Sequence, residues 1–240
     1  MRYSDKSVFE VETDRALRHD PRRVIEVLAP HLTPDRLARI RDVLDARSLD
    51  VVPLLENVAD PHNASAVLRS CDAFGVARAH VVADRNPFRA SRKVAKGTER
   101  WVDVTRHANS LAAARALHAQ GYALYVADMD GDLAPEDLVR PGGRVALIFG
   151  NEFRGVSDEL RGAADGSFAI PMQGFVESLN VSVAAAITLY TLTRRMHRPL
   201  SRDERLEIEA KILLRSVRRG ATIVSEVLGQ PAIAEGPRPL

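Results

Sequence analysis

The segment 56–69 carries polar and charged residues in a pattern that could do chemistry. It reads Glu-Asn-Val-Ala-Asp-Pro-His-Asn-Ala-Ser-Ala-Val-Leu-Arg and leads from an apolar stretch into a helical pattern. Asn63 and Ser65 have side chains that can cap the first turn of that helix, which is the structural interpretation of both. Arg69 shares a helical face with Ser65 and the small residue Ala66, so a cation lies where a substrate has room. The structural alternative is a surface arginine whose stem lies along the protein.

A second polar segment, 150–159, follows an apolar stretch and reads Gly-Asn-Glu-Phe-Arg-Gly-Val-Ser-Asp-Glu. Its spacing is similar to that of a phosphate loop, but Val156 stands where that loop needs a lysine, which argues against a nucleoside triphosphatase. Gly150 and Gly155 instead indicate a backbone that comes close to a ligand. Ser157, followed by two acidic residues, also has the pattern of a helix start, which is the structural alternative for this half of the segment.

The third segment, 170–183, opens an apolar helix and reads Ile-Pro-Met-Gln-Gly-Phe-Val-Glu-Ser-Leu-Asn-Val-Ser-Val. Ser178 or Asn180 as a plain N-cap would explain this segment without any function. The chain has no Gly-x-Gly-x-x-Gly after its first predicted strand, so an ordinary dinucleotide site is not supported. It also has no His-Glu-x-x-His, the pattern of a zinc protease. The single cysteine, Cys71, lies on the apolar side of its helix, which favours core packing over a covalent role.

Short apolar strands alternate with helical patterns through the middle of the chain. The predicted strands are 51–58, 79–83, 122–127, 145–149 and 167–170, and the predicted helices between and after them are 64–74, 110–120, 156–164 and 181–196. This alternation predicts an α/β fold, with a parallel sheet and helices on both faces. Ligands of such sheets bind at the carboxyl ends of the strands. The three polar segments follow predicted strands and are therefore the places to look for a site.

The two ends of the chain have a different pattern. Residues 34–47 form an amphipathic helix for which Thr33 is the predicted N-cap, and residues 201–219 form a basic helix. We therefore divide the chain into an N-terminal helical extension, 1–48, an α/β domain, 49–198, and a C-terminal region, 199–240, that comprises the basic helix and a disordered tail.

Charge and composition limit the kinds of partner that the protein could bind. The net charge of the 240 residues is only +2, so the surface is not a general polycation, although arginines cluster at 194–198 and 215–219. Guanidinium groups bind phosphate oxygens well, so these clusters could contact nucleic acid. The alternative is that the arginines only form the solvent-exposed faces of helices. The longest apolar stretch, 181–192, is too short to span a bilayer, and the charged N-terminus lacks the apolar core of a secretory signal. We expect a cytoplasmic protein with no membrane partner.

Taken together, the three polar segments resemble the signature motifs of the TrmH branch of the SPOUT RNA methyltransferases. The matching patterns are Asn-x-x-x-Pro-His-Asn-x-Ser-Ala-x-x-Arg, Phe-Gly-x-Glu-x-x-Gly-x-Ser and Ile-Pro-Met-x-Gly-x-x-x-Ser-Leu-Asn-Val-Ser-Val-Ala. Their order and spacing also fit, and the resemblance covers about residues 37–198. It implies a parallel sheet with a C-terminal deep trefoil knot, a homodimer whose active site lies near the subunit boundary, and S-adenosylmethionine as methyl donor without a metal.

The resemblance also implies roles for individual residues. Arg69 matches the catalytic arginine, Asn63 the asparagine that positions it, and three further residues the polar lining of the same pocket. Those three are Glu152, Ser178 and Asn180. Four residues, held largely through the backbone, would border the donor's adenosine: Ala127, Gly150, Ile170 and Leu179.

The substrate implied by the resemblance is a ribose 2'-hydroxyl of a structured RNA. A ribose hydroxyl is a poor nucleophile until it loses its proton, so its activation is the chemical problem. Arg69 is described in the family as a general base, but a guanidinium with a pKa above about 12 is a poor proton acceptor, and stabilisation of the developing alkoxide is the alternative role. The first motif is most similar to enzymes that modify guanosine 18 in the D-loop of tRNA. The helices around 36–47 and 202–219 would then bind RNA phosphates. The alternatives are 23S ribosomal RNA as the substrate and a non-catalytic RNA-binding knot protein.

Overall fold

The computed structural model describes residues 15–84 and 101–229. It divides into two compact units, and the predicted disordered tail beyond residue 229 lies outside the described residues. The first, which we call the helical unit, takes its residues from Met1–Asp45 and Ser201–Leu240. The second, which we call the sheet unit, is Ala46–Leu200 and contains all three polar segments.

The sheet unit is built on six parallel strands in the order β3-β2-β1-β5-β4-β6. Their bounds are Val51–Glu56 (β1), Arg78–Val82 (β2), Asp103–His107 (β3), Tyr122–Ala127 (β4), Arg144–Phe149 (β5) and Gly166–Phe168 (β6). The chain moves outward from β1 to β3 and then returns to pair β5 with the other side of β1. The strand order therefore reverses between β1 and β5, where open α/β sheets bind their ligands.

Eight α-helices belong to the described residues. They are Pro21–Leu28 (α1), Pro34–Asp45 (α2), Pro61–Ala73 (α3), Ser110–Ala119 (α4), Asp158–Gly162 (α5), Val181–Thr193 (α6), Arg202–Ser216 (α7) and Gly220–Leu228 (α8). Short 3-10 turns lie at Ala29–His31 and Pro135–Leu138. Helices α3 to α6 belong to the sheet unit, and α1, α2, α7 and α8 pack together in the helical unit.

Helices cover both faces of the sheet. Alternate residues of a strand face opposite sides, and Val51 and Leu55 of β1 share a core with side chains of α3 and α6. Glu56 has the opposite parity, and its carboxylate accepts a hydrogen bond from Ser110 at the start of α4. The predicted α/β fold with a parallel sheet is therefore confirmed.

Several element bounds differ from those that the sequence predicts. Helix α3 begins three residues early, because Asp60 caps it by accepting a hydrogen bond from the His62 amide at 2.8 Å and Pro61 occupies its first turn. Strand β3 is not predicted at all, since Val104 is its single apolar residue. The predicted helix 201–219 ends at Ser216, because Val217 adopts an extended conformation, and α8 begins after Arg219, which has a left-handed φ of 59°.

The helical unit brings together helices from the two ends of the chain. Helix α7 begins with a capping box in which the Ser201 amide donates to Glu204 and the Glu204 amide donates back to the Ser201 hydroxyl. The predicted cap of α2 is also confirmed, because the Thr33 hydroxyl accepts a hydrogen bond from the amide of Arg36 at 3.3 Å. Local capping signals thus set the starts of these helices.

Candidate active site

Two loops lie side by side where the strand order reverses. The first leaves β1 after Glu56, and its Asn57 adopts a left-handed φ of 52°. The second, 150–157, leaves the neighbouring strand β5. The Asn151 side chain joins the two loops by donating a hydrogen bond to the carbonyl oxygen of Asn57 at 2.8 Å. Because β1 and β5 are adjacent and parallel, their polar loops meet at one edge of the sheet.

The 150–157 loop folds back tightly on itself. The backbones of Asn151 and Gly155 exchange two hydrogen bonds of 3.0 and 2.8 Å, and Gly155 adopts a φ of +67°. A Cβ atom on Gly150 would lie 2.3 Å from the carbonyl carbon of Gly155. Glycine is therefore required at position 150 by this internal contact, whereas the sequence pattern indicated a close approach to a ligand.

The carboxylate of Glu152 collects the polar groups at this edge. Its Oε1 accepts hydrogen bonds from the Asn63 side-chain amide at 2.8 Å and from the Asp60 amide at 3.2 Å. Its Oε2 accepts a hydrogen bond from the amide of Ala59 at 2.9 Å. Asn180 extends the network, because its side-chain amide donates to the Asn63 Oδ1 at 3.0 Å. We call Asn63, Glu152 and Asn180 the amide–carboxylate network.

The network sets the ionisation of Glu152. Partial burial by itself raises the pKa of this carboxyl group, but the hydrogen bonds from Asn63, Ala59 and Asp60 act in the opposite direction and prevail. The net pKa of Glu152 therefore lies below its ordinary value of 4.5. A carboxylate accepts hydrogen bonds only, so each amide that faces it is fixed in its orientation.

Some of the residues that the sequence suggests as helix caps are caps in the structure, and others are not. Capping by Asn63 or Ser65 is wrong, since Asp60 caps α3 and the Ser65 hydroxyl bonds back to the Pro61 carbonyl oxygen. Asn180 does cap α6, by accepting from the Ser182 amide at 2.8 Å, and it donates to Asn63 at the same time. The two functions are compatible because an amide side chain accepts at its oxygen and donates at its nitrogen. The Ser157 cap of α5 is also confirmed.

The other two residues proposed for catalysis lie near the network in sequence and are exposed. Arg69 lies on α3, nearly two turns after Asn63, and its side chain reaches solvent. Ser178 lies two residues before Asn180 and is also exposed. The structure thus joins three of the five proposed residues by hydrogen bonds, and it leaves Arg69 and Ser178 accessible to a substrate.

The residues proposed for adenosine binding follow the carboxyl ends of adjacent strands. Ala127 ends β4 and pairs with Phe168 of β6, and Gly150 directly follows β5. The other two, Ile170 and Leu179, follow β6, and all four are half-buried. Three of the four thus lie at or just after strand ends, where parallel α/β sheets bind ligands, whereas Leu179 lies eleven residues beyond β6.

An ion pair holds the 150–157 loop from the β4 side. Arg161 of α5 bonds to Asp128, the residue after β4, and its Nε donates to the carbonyl oxygen of Val156 at 3.3 Å. The side-chain hydrogen bond from Arg161 is the largest cause that lowers the pKa of Asp128. Neither residue is indicated by the sequence pattern, because the pair joins helix α5 to the separate loop after β4.

Glu56 is a further polar residue that the sequence analysis quoted without assigning a role. Its carboxylate is only 2% exposed, and it accepts hydrogen bonds from Ser157 and Ser110. The available signal was an acidic residue at the end of an otherwise apolar strand, since a buried carboxylate requires partners.

Cys71 has no part in this chemistry. Its side chain is fully buried in the core, and desolvation is the largest cause that raises the pKa of the thiol to about 12. A thiol with such a pKa is not a nucleophile near neutral pH, so the predicted core role is confirmed. Among the described residues, no group of three or more metal-binding side chains is found, and no helix is long and apolar enough to cross a membrane.

The parallel sheet with polar loops at its strand-order reversal places this protein among the α/β proteins that bind a ligand at the carboxyl ends of their strands. Comparison with known proteins gives the family. The sequence pattern of the SpoU rRNA Methylase family matches residues 50–190. The chain belongs to this family. The resemblance drawn from the three motifs is therefore confirmed, and the chain is a methyltransferase that uses S-adenosylmethionine.

Individual relatives agree with this assignment. A tRNA (guanosine(18)-2'-O)-methyltransferase of Thermus thermophilus is 40% identical over 166 residues, which are 68% of this chain and 84% of that enzyme. The crystal structure of the A. aeolicus TrmH/SpoU tRNA modifying enzyme matches with a TM-score of 0.67 at 30% identity, over 77% of this chain and 98% of that one. The SpoU methyltransferase AviRb from Streptomyces viridochromogenes, in complex with the cofactor AdoMet, matches with a TM-score of 0.52 at 26% identity, over 64% of this chain and 60% of that one.

Proposed function

We propose that the chain methylates the ribose 2'-hydroxyl of guanosine 18 in the D-loop of tRNA, as the name of its T. thermophilus relative describes. The observation that carries this proposal is the amide–carboxylate network, which joins the first motif, to which Arg69 belongs, with the second and third motifs. A protein that only bound RNA would not need this set of polar groups in the pocket proposed for catalysis. A tRNA substrate is consistent with a cytoplasmic enzyme.

Arg69 performs the central step in this proposal. S-adenosylmethionine supplies, when bound, a methyl group that is already activated on a sulfonium centre. The ribose oxygen would take the methyl group as the carbon–sulfur bond breaks to leave a neutral thioether, and the hydroxyl proton would pass to solvent water. The chain must therefore stabilise this oxygen as it loses its proton. The Arg69 guanidinium stabilises the developing alkoxide and anchors the adjacent phosphate, and its charge serves both purposes.

The network fixes the first turn of α3, the helix that carries Arg69. Asn63 lies in the first turn of α3, and its side chain is fixed at both ends, because its nitrogen donates to Glu152 and its oxygen accepts from Asn180. Side chains fixed in this way hold the helix start and hence the direction in which Arg69 projects. Ser178, on the exposed segment before Asn180, lines the substrate side of the pocket.

The resemblance extends the proposal to the chain topology and the assembly. In the family fold, the second and third motifs form the deep trefoil knot that holds the donor. A homodimer is supported by helix α6, whose buried face includes Leu189 while Val183, Ile187 and Tyr190 are 44%, 40% and 49% exposed. A surface helix that is apolar on two faces requires a second partner, and another copy of the chain supplies a matching apolar face.

Exposed arginines of the helical unit are proposed to bind tRNA phosphates. Arg36 and Arg39 of α2 are exposed, as are Arg202 at the start of α7 and Arg218 in the turn after it. The prediction for Arg47 is corrected: it was placed with Arg36 and Arg39 in a helix that binds RNA, but α2 ends at Asp45. Arg47 is 1% exposed in the sheet unit, where it donates to Asp72 and to the Val76 carbonyl oxygen, so it is not available to RNA.

The test is methyl transfer from labelled S-adenosylmethionine to unmodified total tRNA and to fragments of 23S rRNA, with the modified nucleotide mapped in each. The proposal predicts label at the D-loop guanosine of tRNA and none on the rRNA fragments. Label confined to rRNA would keep the chemistry and overturn the substrate. The absence of label on every RNA would favour the non-catalytic RNA-binding alternative.

A further inference from the structure

Glu56 makes a buried link between β1 and the 150–157 loop. Its Oε1 accepts hydrogen bonds from the hydroxyl of Ser157 at 2.6 Å and from the hydroxyl of Ser110, and its Oε2 accepts from the Ser157 amide at 2.7 Å. A carboxylate that is 2% exposed is stable only when such donors surround it. Two of these three bonds come from one residue of the loop.

This link fixes the far end of the loop that carries Glu152. The near end is held by the sheet, because Phe149 of β5 is in register with Leu55 of β1. The far end is held by Ser157 on Glu56, the very next residue of β1. Both ends of the loop are thus anchored to consecutive residues of a single strand, and Glu152 lies between the two anchors.

The same strand leads directly into the partners of Glu152. Ala59 and Asp60, which donate their amides to Glu152, follow Glu56 by three and four residues. A shift of Ser157 away from Glu56 would therefore move Glu152 relative to Asn63, even though neither residue contacts Glu56. Geometry of this kind matters because a misplacement of about 1 Å can lower the rate of a reaction about a hundredfold.

We infer that Glu56 is a positioning residue for methyl transfer. Its buried carboxylate holds Ser157, and through it the 150–157 loop, so that Glu152 reaches Asn63. This inference rests on the proposed function, and it adds to the reaction a residue that does not touch substrate or donor. Ser110 contacts the same carboxylate from α4, outside the loop, and so provides an internal control.

The experiment compares Glu56→Gln and Ser157→Ala with Ser110→Ala and Ser157→Thr in the full-length protein. The Glu56→Gln substitution removes the negative charge and replaces one acceptor oxygen by an amide nitrogen, which cannot accept the bonds that this oxygen accepts, and Ser157→Ala removes the hydroxyl bond alone. Ser110→Ala removes one bond to the same carboxylate without touching the loop, and threonine keeps the hydroxyl of Ser157. Each variant is measured for kcat, for amide hydrogen exchange over residues 151–157 and for melting temperature.

We expect kcat to fall at least about tenfold in Glu56→Gln and Ser157→Ala, with faster exchange in the loop. Ser110→Ala and Ser157→Thr should stay within about twofold of the unmodified protein. In a Glu152→Gln background, Glu56→Gln should lower kcat no further, because both changes disrupt one arrangement.

Equal losses of kcat in Ser110→Ala and Ser157→Ala, or a full additional loss in the Glu152→Gln background, would overturn the inference. Unchanged exchange over residues 151–157 in both Glu56→Gln and Ser157→Ala would do so as well. If the unmodified protein methylates no RNA, the proposed function fails, and the exchange measurement still decides whether Glu56 holds the loop.

Discussion

The hydrogen bonds around Glu152 determine how this one carboxyl group responds to pH. Its pKa is lowered in the folded protein, because bonds from Asn63, Ala59 and Asp60 outweigh the effect of partial burial. A group with a depressed folded-state pKa stabilises the fold above its unfolded-state pKa, and this contribution is lost as the pH falls through the folded-state value. The network should therefore be intact at neutral pH and weaken in acid.

Glu152→Gln should lower the free energy of unfolding at neutral pH, since glutamine keeps only one acceptor oxygen for three donors. The difference between the two proteins should be constant from about pH 7 to about pH 5 and should shrink below that, because the glutamate loses its advantage on protonation. Urea denaturation at a series of pH values measures this difference. A difference that grows as the pH falls would contradict the assignment.

At the scale of elements, the 150–157 loop depends on the close approach of two backbone segments. Gly150→Ala would place a methyl group 2.3 Å from the Gly155 carbonyl carbon, and backbone atoms cannot move aside as a flexible side chain can. We expect a loss of stability of about 1–3 kcal/mol or more, together with weaker binding of S-adenosylmethionine. Thermal denaturation and calorimetric titration with the donor measure the two effects.

Gly162→Ala is the matched control for this substitution. Gly162 is the last residue of α5, and a Cβ atom there would meet nothing within 4 Å. Its effect should lie between no change and a gain of about 1 kcal/mol, since alanine favours helix over glycine. If both substitutions destabilise the protein equally, the contact between Gly150 and Gly155 is not what maintains the loop.

Elements with strong local signals were predictable from the sequence. Strand β4 was predicted with its observed bounds, because an uninterrupted apolar run, Tyr122–Ala127, is flanked by turn residues. Strand β3 was missed, because its polar residues at the edge of the sheet give no alternating pattern. The start of α3 was predicted late, since Asp60 is the cap and Pro61 the first turn, whereas the sequence also offers Asn63 and Ser65 as caps.

The sequence predicted which residues belong to the site, but it did not predict how they are arranged. The motifs grouped Asn63, Glu152 and Asn180 in one pocket through the family resemblance, and the structure joins them. The direction of each hydrogen bond could not follow from the sequence, because it depends on contacts between residues about ninety or more positions apart. Glu56 was missed for the same reason, since its partners lie on α4 and in the 150–157 loop.

At the scale of the whole molecule, helix α6 gives the clearest indication of assembly. Val183, Ile187 and Tyr190 lie at helical spacing on its exposed face. Ile187→Glu should dissociate the proposed homodimer, because a charge would be buried in an apolar interface without a partner. Sedimentation velocity measures the change in mass, and methyl transfer should fall with it if the active site lies near the subunit boundary.

Leu111→Glu is the control for the α6 substitution. Leu111 lies on α4 and is 41% exposed, close to the 40% of Ile187, so the two substitutions introduce the same charge at equal exposure. The control protein should sediment as the unmodified protein does. Dissociation by both substitutions, or by neither, would show that the α6 face is not the specific interface.

The trefoil knot has no local sequence signal of this kind. Chain connections normally avoid threading, so only the family resemblance predicted the knot.

The central claim, ribose methylation directed by Arg69, is tested most directly by single-turnover transfer from labelled S-adenosylmethionine to a tRNA whose guanosine 18 carries either ribose or 2'-deoxyribose. The account predicts label on the ribose form and none on the deoxy form. It also predicts a rate about a hundredfold to a thousandfold lower for Arg69→Ala, with donor binding retained. Label that persists on the 2'-deoxy tRNA, or full activity of Arg69→Ala, would contradict it.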